Sequence, residues 1–203
     1  MSTVGEDRAR RTLQVAARIA EVLSQHEIPS AIIGAAALAA HGYLRYTEDL
    51  DLATDTDPFT KLRAVERSLQ QEGFEVELLL PDAEDPLGGV LTVRGEGFEP
   101  VQVVNFQNPW HRGCGLLASE SLREAQLELE PGSSLRVVGL SHLIALKLYA
   151  GGWKSKMDIL ELLERNRESL DLAALRSVCH RHGLGPALEP LLKELGFEPA
   201  SPA

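Results

Sequence analysis

Two aspartates, Asp49 and Asp51, lie two residues apart in a segment whose apolar pattern predicts a strand over residues 50–53. Because side chains alternate along a strand, both carboxylates are expected to leave one face while Leu50 and Leu52 face the core. Adjacent carboxylates repel each other unless a cation lies between them, and Mg²⁺ prefers oxygen ligands. In phosphoryl or nucleotidyl transfer such a pair holds two metal ions about 4 Å apart. The pair therefore predicts a magnesium site, with two solvated acids at a strand end as the alternative.

A glycine corner precedes these acids in the sequence. Gly34 stands between a β-branched segment, residues 30–34, and an alanine-rich segment, residues 35–41, which the pattern predicts to be a strand and a helix. Glycine lets backbone N–H groups approach a phosphate closely, and a helix N-terminus favours negative charge. Gly34 and Ala35 therefore predict a phosphate-binding turn, although a plain strand-to-helix connection would use the same residues.

The elements that must position these residues are mixed first and helical afterwards. Hydrophobic periodicity, glycines and prolines divide the chain into the following segments. Strands are predicted at 30–34, 50–53, 74–80, 90–94, 101–106 and 135–138, and helices at 8–26, 35–41, 58–71, 141–150, 154–165, 172–182 and 186–195. Residues 108–120 show no clear pattern. The fold class is therefore α/β (α+β), with a mixed sheet and flanking helices over residues 1–138 and a helical region over 139–203.

Composition excludes several classes of protein. The net charge of −10 over 203 residues argues against charge-driven binding of long nucleic acids. Cys114 and Cys179 are far apart, which excludes a thiolate zinc cluster and is typical of a reducing compartment. The six histidines show no ligand spacing, so no zinc site is expected. No apolar run approaches the ~20 residues that cross a bilayer, and no signal-peptide core begins the chain, so a soluble, cytoplasmic protein is expected.

The segment from residue 32 to residue 54 resembles the nucleotidyltransferase superfamily related to DNA polymerase beta. Its signature is an apolar strand, Gly-Gly or Gly-Ser, a short helix, and Asp-x-Asp on the next strand. Here Gly34 and Ala35 are followed by thirteen residues and then by Asp49-Leu50-Asp51. Arg45 and Thr47 are similar to the Arg-x-Thr-x-Asp-h-Asp run (h, apolar) of bacterial members. The likeness covers roughly residues 10–165.

Within that superfamily the chain is most similar to the bacterial AbiEii-like group, which includes type IV toxin–antitoxin toxins. Members of this group carry Lys-Asp-x-x-Asp-Ile on a helix after the sheet. Residues 154–159, Lys-Ser-Lys-Met-Asp-Ile, look like that segment. The resemblance implies that a cognate antitoxin is a partner.

The resemblance also implies Mg²⁺-dependent transfer of a nucleoside monophosphate from an NTP to an acceptor hydroxyl. Asp49 and Asp51 would bind the metal, and Gly34 with Ala35 would hold the triphosphate. Further phosphate contacts are expected from Arg45, Thr47, Lys147 and Lys154. The acceptor that it implies is an RNA 3′ end, a protein side chain or a small molecule such as an aminoglycoside.

Each of those four further residues also has an ordinary structural interpretation. Arg45 would then pair with a neighbouring acid, and Thr47 would cap a turn. Lys147 lies on an apolar helix, where a lysine commonly extends its charge to solvent. Lys154 would simply be an exposed residue at a helix start.

Three positions depart from the family pattern. Ala35 replaces the second glycine or serine, and Ser155 replaces the first aspartate of the helical motif. Gln102 stands at the catalytic position of a third carboxylate, which binds metal and accepts the acceptor's proton. Glutamine keeps a coordinating oxygen but has no charge or basicity. Glu99, three residues earlier, would reach the same face only through a bulge.

Gln102 supports an alternative in which the domain is catalytically degenerate and binds a nucleotide or a partner protein without transferring anything. General-base catalysis is typically worth ~100-fold to ~10,000-fold in rate, so its loss would silence an enzyme. A third interpretation is a purely structural α/β domain that binds no nucleotide.

Overall fold

The computed structural model describes residues 3–111, 114–129 and 132–198. Within these ranges the chain alternates helices and strands up to residue 137 and is helical afterwards. The helices are α1 (Thr3–Gln25), α2 (Gly34–Ala40), α3 (Lys61–Gln71), α4 (Gly115–Arg123), α5 (Leu140–Ala150), α6 (Gly152–Arg165), α7 (Leu172–Arg181) and α8 (Gly185–Glu194). The strands are β1 (Ser30–Ile32), β2 (Leu50–Thr54), β3 (Glu75–Leu79), β4 (Val90–Arg94), β5 (Val101–Asn105), β6 (Leu127–Glu128) and β7 (Arg136–Val137).

The strands form one mixed sheet in the order β3-β4-β5-β2-β1-β7-β6. The central strand β2 pairs in parallel with β5 and antiparallel with β1. The strand β1 also pairs in parallel with β7. The segment that carries the aspartates therefore lies in the middle of the sheet, where its backbone is held from both sides.

Alternation along β2 separates a core face from a functional face. Leu50 and Leu52 are buried on one face, where Leu50 lines a cavity together with Ala9 and Leu13 of α1. Asp51 leaves the opposite face. The helix α1 therefore covers the apolar face of the sheet and leaves the aspartate face to other elements.

The C-terminal helices share the core of the sheet. Buried side chains of α5, α6, α7 and α8 belong to the same hydrophobic cluster as those of α1 and the strands, with Ile144, Ile159, Leu175 and Leu188 as representatives. The helix α5 packs against α4, α6 and α7. The sheet and the helical region therefore share one continuous apolar core. The helix α5 also follows β7 closely along the chain.

The sequence prediction of an α/β fold with a mixed sheet and flanking helices is confirmed, and its errors are local. The segment without a clear pattern, residues 108–120, includes the start of α4, and β6 was not predicted. The helix expected to start at Pro58 begins at Lys61, because residues 58–60 form a turn that Asp57 stabilises by accepting hydrogen bonds from Thr60. Asp49 was expected within a strand, but β2 begins one residue later.

Among the described residues, no helix combines the length and the apolar character needed to cross a bilayer.

Leu52 allows the core to be tested without changing any polar group. Its side chain is 1% exposed, so Leu52→Ala is expected to lower the free energy of unfolding by about 2–5 kcal/mol. Leu44→Ala is the matched control, because Leu44 is 84% exposed and should change stability by less than about 0.5 kcal/mol. Urea denaturation followed by circular dichroism measures both, and equal losses would contradict the described core.

Candidate active site

The Asp51 carboxylate lies directly against the Gly34 corner. Gly34 has φ +63°, and a Cβ atom built there would lie 2.1 Å from Asp51 Oδ2. The two segments are also joined through the backbone, because the Ile33 N–H donates to the Asp51 carbonyl oxygen at 3.0 Å. Any side chain at residue 34 would displace this carboxylate. The structure thus places the Asp51 carboxylate at the glycine turn.

Asp49 lies beside Asp51, at the point where the chain enters β2. Its Oδ1 accepts a hydrogen bond of 2.5 Å from Thr47 Oγ1, so Thr47 orients an acid in this structure. Asp49 and Asp51 are each partly exposed. Asp49 thus lies close enough for its charge to act on Asp51, and the oxygen atoms of both acids are ligands that a divalent cation prefers.

The electrostatics of Asp51 show which charged groups surround it. Burial, and after it the negative charge of Asp49, raise the pKa of Asp51 to about 6. The charges of Arg45, Lys147 and Lys154 act in the opposite direction and lower it. Three of the cations predicted from the sequence are therefore within electrostatic range of the aspartate pair.

A buried aspartate that the sequence did not single out as a site residue holds two of those cations. Asp158 of α6 is 2% exposed, and its Oδ2 accepts a hydrogen bond of 2.6 Å from Lys147 Nζ. The same oxygen lies 3.6 Å from Arg45 Nη1. Asp158 therefore positions both Lys147 and Arg45. Lys147 is not a solvated lysine, and Arg45 pairs with this distant acid rather than with a neighbour in the sequence. The sequence signal that could have revealed Asp158 is its place in the Lys-Ser-Lys-Met-Asp-Ile segment, residues 154–159.

Arg45 also has an unsatisfied donor. Its Nε is buried and has no hydrogen-bond partner among the described residues. A buried donor without a partner loses about 1–3 kcal/mol relative to a satisfied one. The Arg45 guanidinium is therefore held near the aspartates without having all its hydrogen bonds fulfilled.

Gln102 occupies the place beside Asp51 that the resemblance assigns to a third acid. In the parallel pairing of β2 with β5, Asp51 is in register with Gln102. Glu99 does not replace it, since its carboxylate pairs with Arg8 Nε at 2.9 Å. In the described part of the chain, no third acid, histidine or cysteine forms a compact ligand group with Asp49 and Asp51. The aspartate pair therefore has an amide neighbour.

Two cavities adjoin the glycine corner. One of about 400 Å³ is largely apolar, with Gly34, Lys147, Ser155 and Asp85 as its polar positions and Leu143 and Leu146 of α5 in its wall. The other, of about 300 Å³, is lined by Ala35, Arg45, Thr47, Asp49 and Glu99, together with residues of α1 and α2. A cavity of several hundred Å³ with few polar groups is typical of small-molecule sites. The corner therefore has room for a ligand on both the Gly34 and the Ala35 side.

Comparison with known proteins identifies the fold. The chain matches no protein-family model and no curated protein. The solution structure of the antibiotic-resistance factor ANT(2'')-Ia is similar with a TM-score of 0.53 and 15% identity, over 92% of this chain and 97% of that one. The crystal structure of ANT(2'')-Ia in complex with adenylyl-2''-tobramycin is similar with a TM-score of 0.52 and 17% identity, over 84% and 96%.

An antigenic nucleotidyltransferase-like protein from Paracoccidioides brasiliensis is also similar, with a TM-score of 0.51 and 18% identity over 91% of this chain and 94% of that one. The likeness in all three cases covers at least 84% of this chain. At these levels of identity it concerns the fold. This chain has a nucleotidyltransferase-like fold.

Proposed function

We propose that this protein binds an NTP with Mg²⁺ and transfers its nucleoside monophosphate to an acceptor hydroxyl. The observation that carries the proposal is the placement of the Asp51 carboxylate against Gly34, with Asp49 adjacent and three cations in electrostatic range. A solvated strand end would not bury an acid beside a second acid. The arrangement suits a ligand that brings both positive metal ions and negative phosphates.

Asp49 and Asp51 fit a divalent metal. Each supplies oxygen ligands, and the raised pKa of Asp51 reflects burial and repulsion that a bound cation relieves. Thr47 holds Asp49 in place through its hydroxyl. When bound, Mg²⁺ in such sites neutralises charge on the phosphate oxygens and on the attacking and leaving oxygens.

The cations of the site are suited to the triphosphate. Lys147 and Arg45 are fixed by Asp158, while Lys154 is exposed at the start of α6. Fixed positive groups stabilise developing charge without reorganising during the reaction. The backbone N–H groups of Gly34 and Ala35, at the first turn of α2, would add hydrogen bonds to phosphate oxygens.

The acceptor is proposed at the level of its chemical class. ANT(2'')-Ia is an antibiotic-resistance factor whose complex contains adenylylated tobramycin, which makes an aminoglycoside one acceptor to test. The AbiEii-like resemblance adds an RNA 3′ end and a protein side chain as acceptors to test. With them we propose a toxin role, a cognate antitoxin as partner and a cytoplasmic location. Each of these acceptors would present a hydroxyl group to the NTP at the Gly34 corner.

A second candidate function is nucleotide binding without transfer. It is favoured by Gln102, which lies in register with Asp51 and cannot accept a proton. The metal and phosphate contacts would remain, because they do not depend on residue 102.

Labelled transfer assays distinguish the two functions. The protein is incubated with each α-labelled NTP, Mg²⁺ and the three acceptor classes, and incorporation is measured. The parent chain is expected to label an acceptor, and Asp51→Asn to reduce the rate by at least about 100-fold because it removes a metal ligand. Asp55→Asn is the matched control, since Asp55 lies beyond the end of β2 and pairs with Ser119.

Gln102→Asp adds the decisive comparison. If the parent chain binds NTP and labels nothing while Gln102→Asp labels an acceptor, the protein is a binder that has lost its base. If neither chain binds an NTP in a thermal-shift assay with Mg²⁺, both proposed functions are wrong.

Gly42 provides a matched control for a substitution at Gly34. Gly34 and Gly42 both have positive φ, so alanine at either position carries a similar backbone penalty of about 1–2 kcal/mol. Only at Gly34 does the added carbon strike Asp51, because nothing lies within 4 Å at Gly42. Gly34→Ala is therefore expected to weaken Mg²⁺-dependent NTP binding by about tenfold or more. Calorimetry with a non-hydrolysable NTP analogue should find Gly42→Ala near the parent value, and equal affinities in both variants would refute the proposed corner.

Asp158 is expected to act on the nucleotide through Lys147. Asp158→Asn and Lys147→Gln should each weaken NTP binding by about tenfold, and the double variant should bind no worse than Lys147→Gln alone. Additive losses would instead indicate independent, structural effects. Glu194→Gln is the control, because it breaks only the exposed pair between Glu194 of α8 and Lys156 of α6. Removing one member of a buried pair destabilises by about 3–5 kcal/mol, so thermal unfolding of each variant accompanies the binding measurement.

A further inference from the structure

A second cluster of metal-ligating side chains lies on α4 and α5. Glu120 lies in the last turn of α4, Glu124 caps the C-terminus of that helix one turn later, and His142 lies near the start of α5. Their ligand atoms, one carboxylate oxygen from each glutamate and one ring nitrogen, all lie within 4.8 Å of one another. Elsewhere in the described ranges, no other group of three histidines, cysteines or acids is as compact.

The distances within this cluster suit a small tetrahedral ion. His142 Nε2 lies 3.3 Å from Glu120 Oε1 and 3.8 Å from Glu124 Oε2. Zinc binds nitrogen and carboxylate oxygen at about 2.0–2.2 Å, which places tetrahedral ligands about 3.4 Å apart. His142 Nε2 therefore lies from the two glutamate oxygens at close to the separation that one zinc ion would impose.

The surroundings of Glu120 resemble an outer shell of such a site. His182 Nε2 lies 2.9 Å from Glu120 Oε2, and Arg181 contacts Oε1. Arg181 and His182 therefore each contact one oxygen of the Glu120 carboxylate. Hydrogen bonds from outer groups commonly orient metal-binding carboxylates.

Burial favours the same interpretation. The His142 side chain is 8% exposed and the Glu120 side chain 13%, while Glu124 is half exposed and forms the open side of the cluster. Arg181, whose side chain is 47% exposed, also donates to Ser177 Oγ at 2.8 Å, so it keeps a partner if it withdraws from Glu120. An ion can therefore enter from solvent without unpacking the helices.

We propose that Glu120, Glu124 and His142 form a zinc site that links α4 to α5, with His182 supporting Glu120 through its other oxygen. Two carboxylates and an imidazole match the ligand preference of zinc rather than that of magnesium, which favours oxygen alone. Two glutamate charges balance one divalent ion. The site is independent of the aspartate pair, and its existence does not depend on the proposed transfer reaction.

The test measures zinc on the whole chain. Protein stripped with a chelator is dialysed against Zn²⁺, and bound metal is counted by mass spectrometry in the Asp51→Asn background, so that the aspartates contribute little. One zinc per chain is expected. Zinc should also raise the thermal midpoint of this protein, and an equal concentration of Mg²⁺ should not displace the zinc.

The variants assign the ion to its ligands. Glu124→Gln and His142→Gln should each weaken zinc binding by at least about 100-fold, since even supporting groups around a metal change affinity by 10–100-fold. His180→Gln is the control, because His180 is exposed on α7 and lies outside the cluster. Glu124 is exposed, so Glu124→Gln keeps the test valid if His142→Gln fails to fold. The proposal is overturned if no zinc binds, or if zinc binds equally to Glu124→Gln and to the parent.

Discussion

The contact between the Asp51 carboxylate and the Gly34 backbone is the constraint on which the rest of the candidate site depends. No side chain fits at residue 34, because a single added carbon would overlap Asp51 Oδ2. The contact requires β1 to lie next to β2 and α2 to begin at Gly34. The hydrogen bond from the Ile33 N–H to the Asp51 carbonyl oxygen holds these segments together. The topology of the sheet thus places an acid where a helix starts.

Charge balance explains how the site tolerates its acids. Asp51 is partly buried and lies near the charge of Asp49, both of which raise its pKa, and the surrounding cations oppose this effect. Those cations would be mobile on their own, since lysine and arginine have long side chains with many rotamers. Asp158, buried on α6, removes much of that freedom from Lys147 and Arg45. The helical region therefore contributes order to a site whose acids come from the sheet.

Local sequence patterns predict those structural features that depend on residues close together in the chain. The alternation around Asp51, the glycine at residue 34 and most helices follow from periodicity and turn residues, and the structure has them close to the expected positions. Contacts between distant segments leave no such pattern. Asp158 reaches Arg45 across 113 residues, and His142, Glu120 and His182 meet only because α4, α5 and α7 pack together. Histidine spacing therefore indicated no metal site, although the fold assembles a compact ligand group.

The helix α5 connects the two regions of interest. It carries His142 in its first turn and Lys147 in its last, about 7.5 Å further along the axis at 1.5 Å per residue. Lys147 faces Asp158 and the glycine corner, while His142 faces Glu120 on α4. A rigid helix transmits a shift at one end to the other, because its backbone hydrogen bonds resist local bending. The packing of α5 against α4 and α6 therefore sets where the backbone of Lys147 lies, and Asp158 then holds its ammonium group beside the cavity that Gly34 lines.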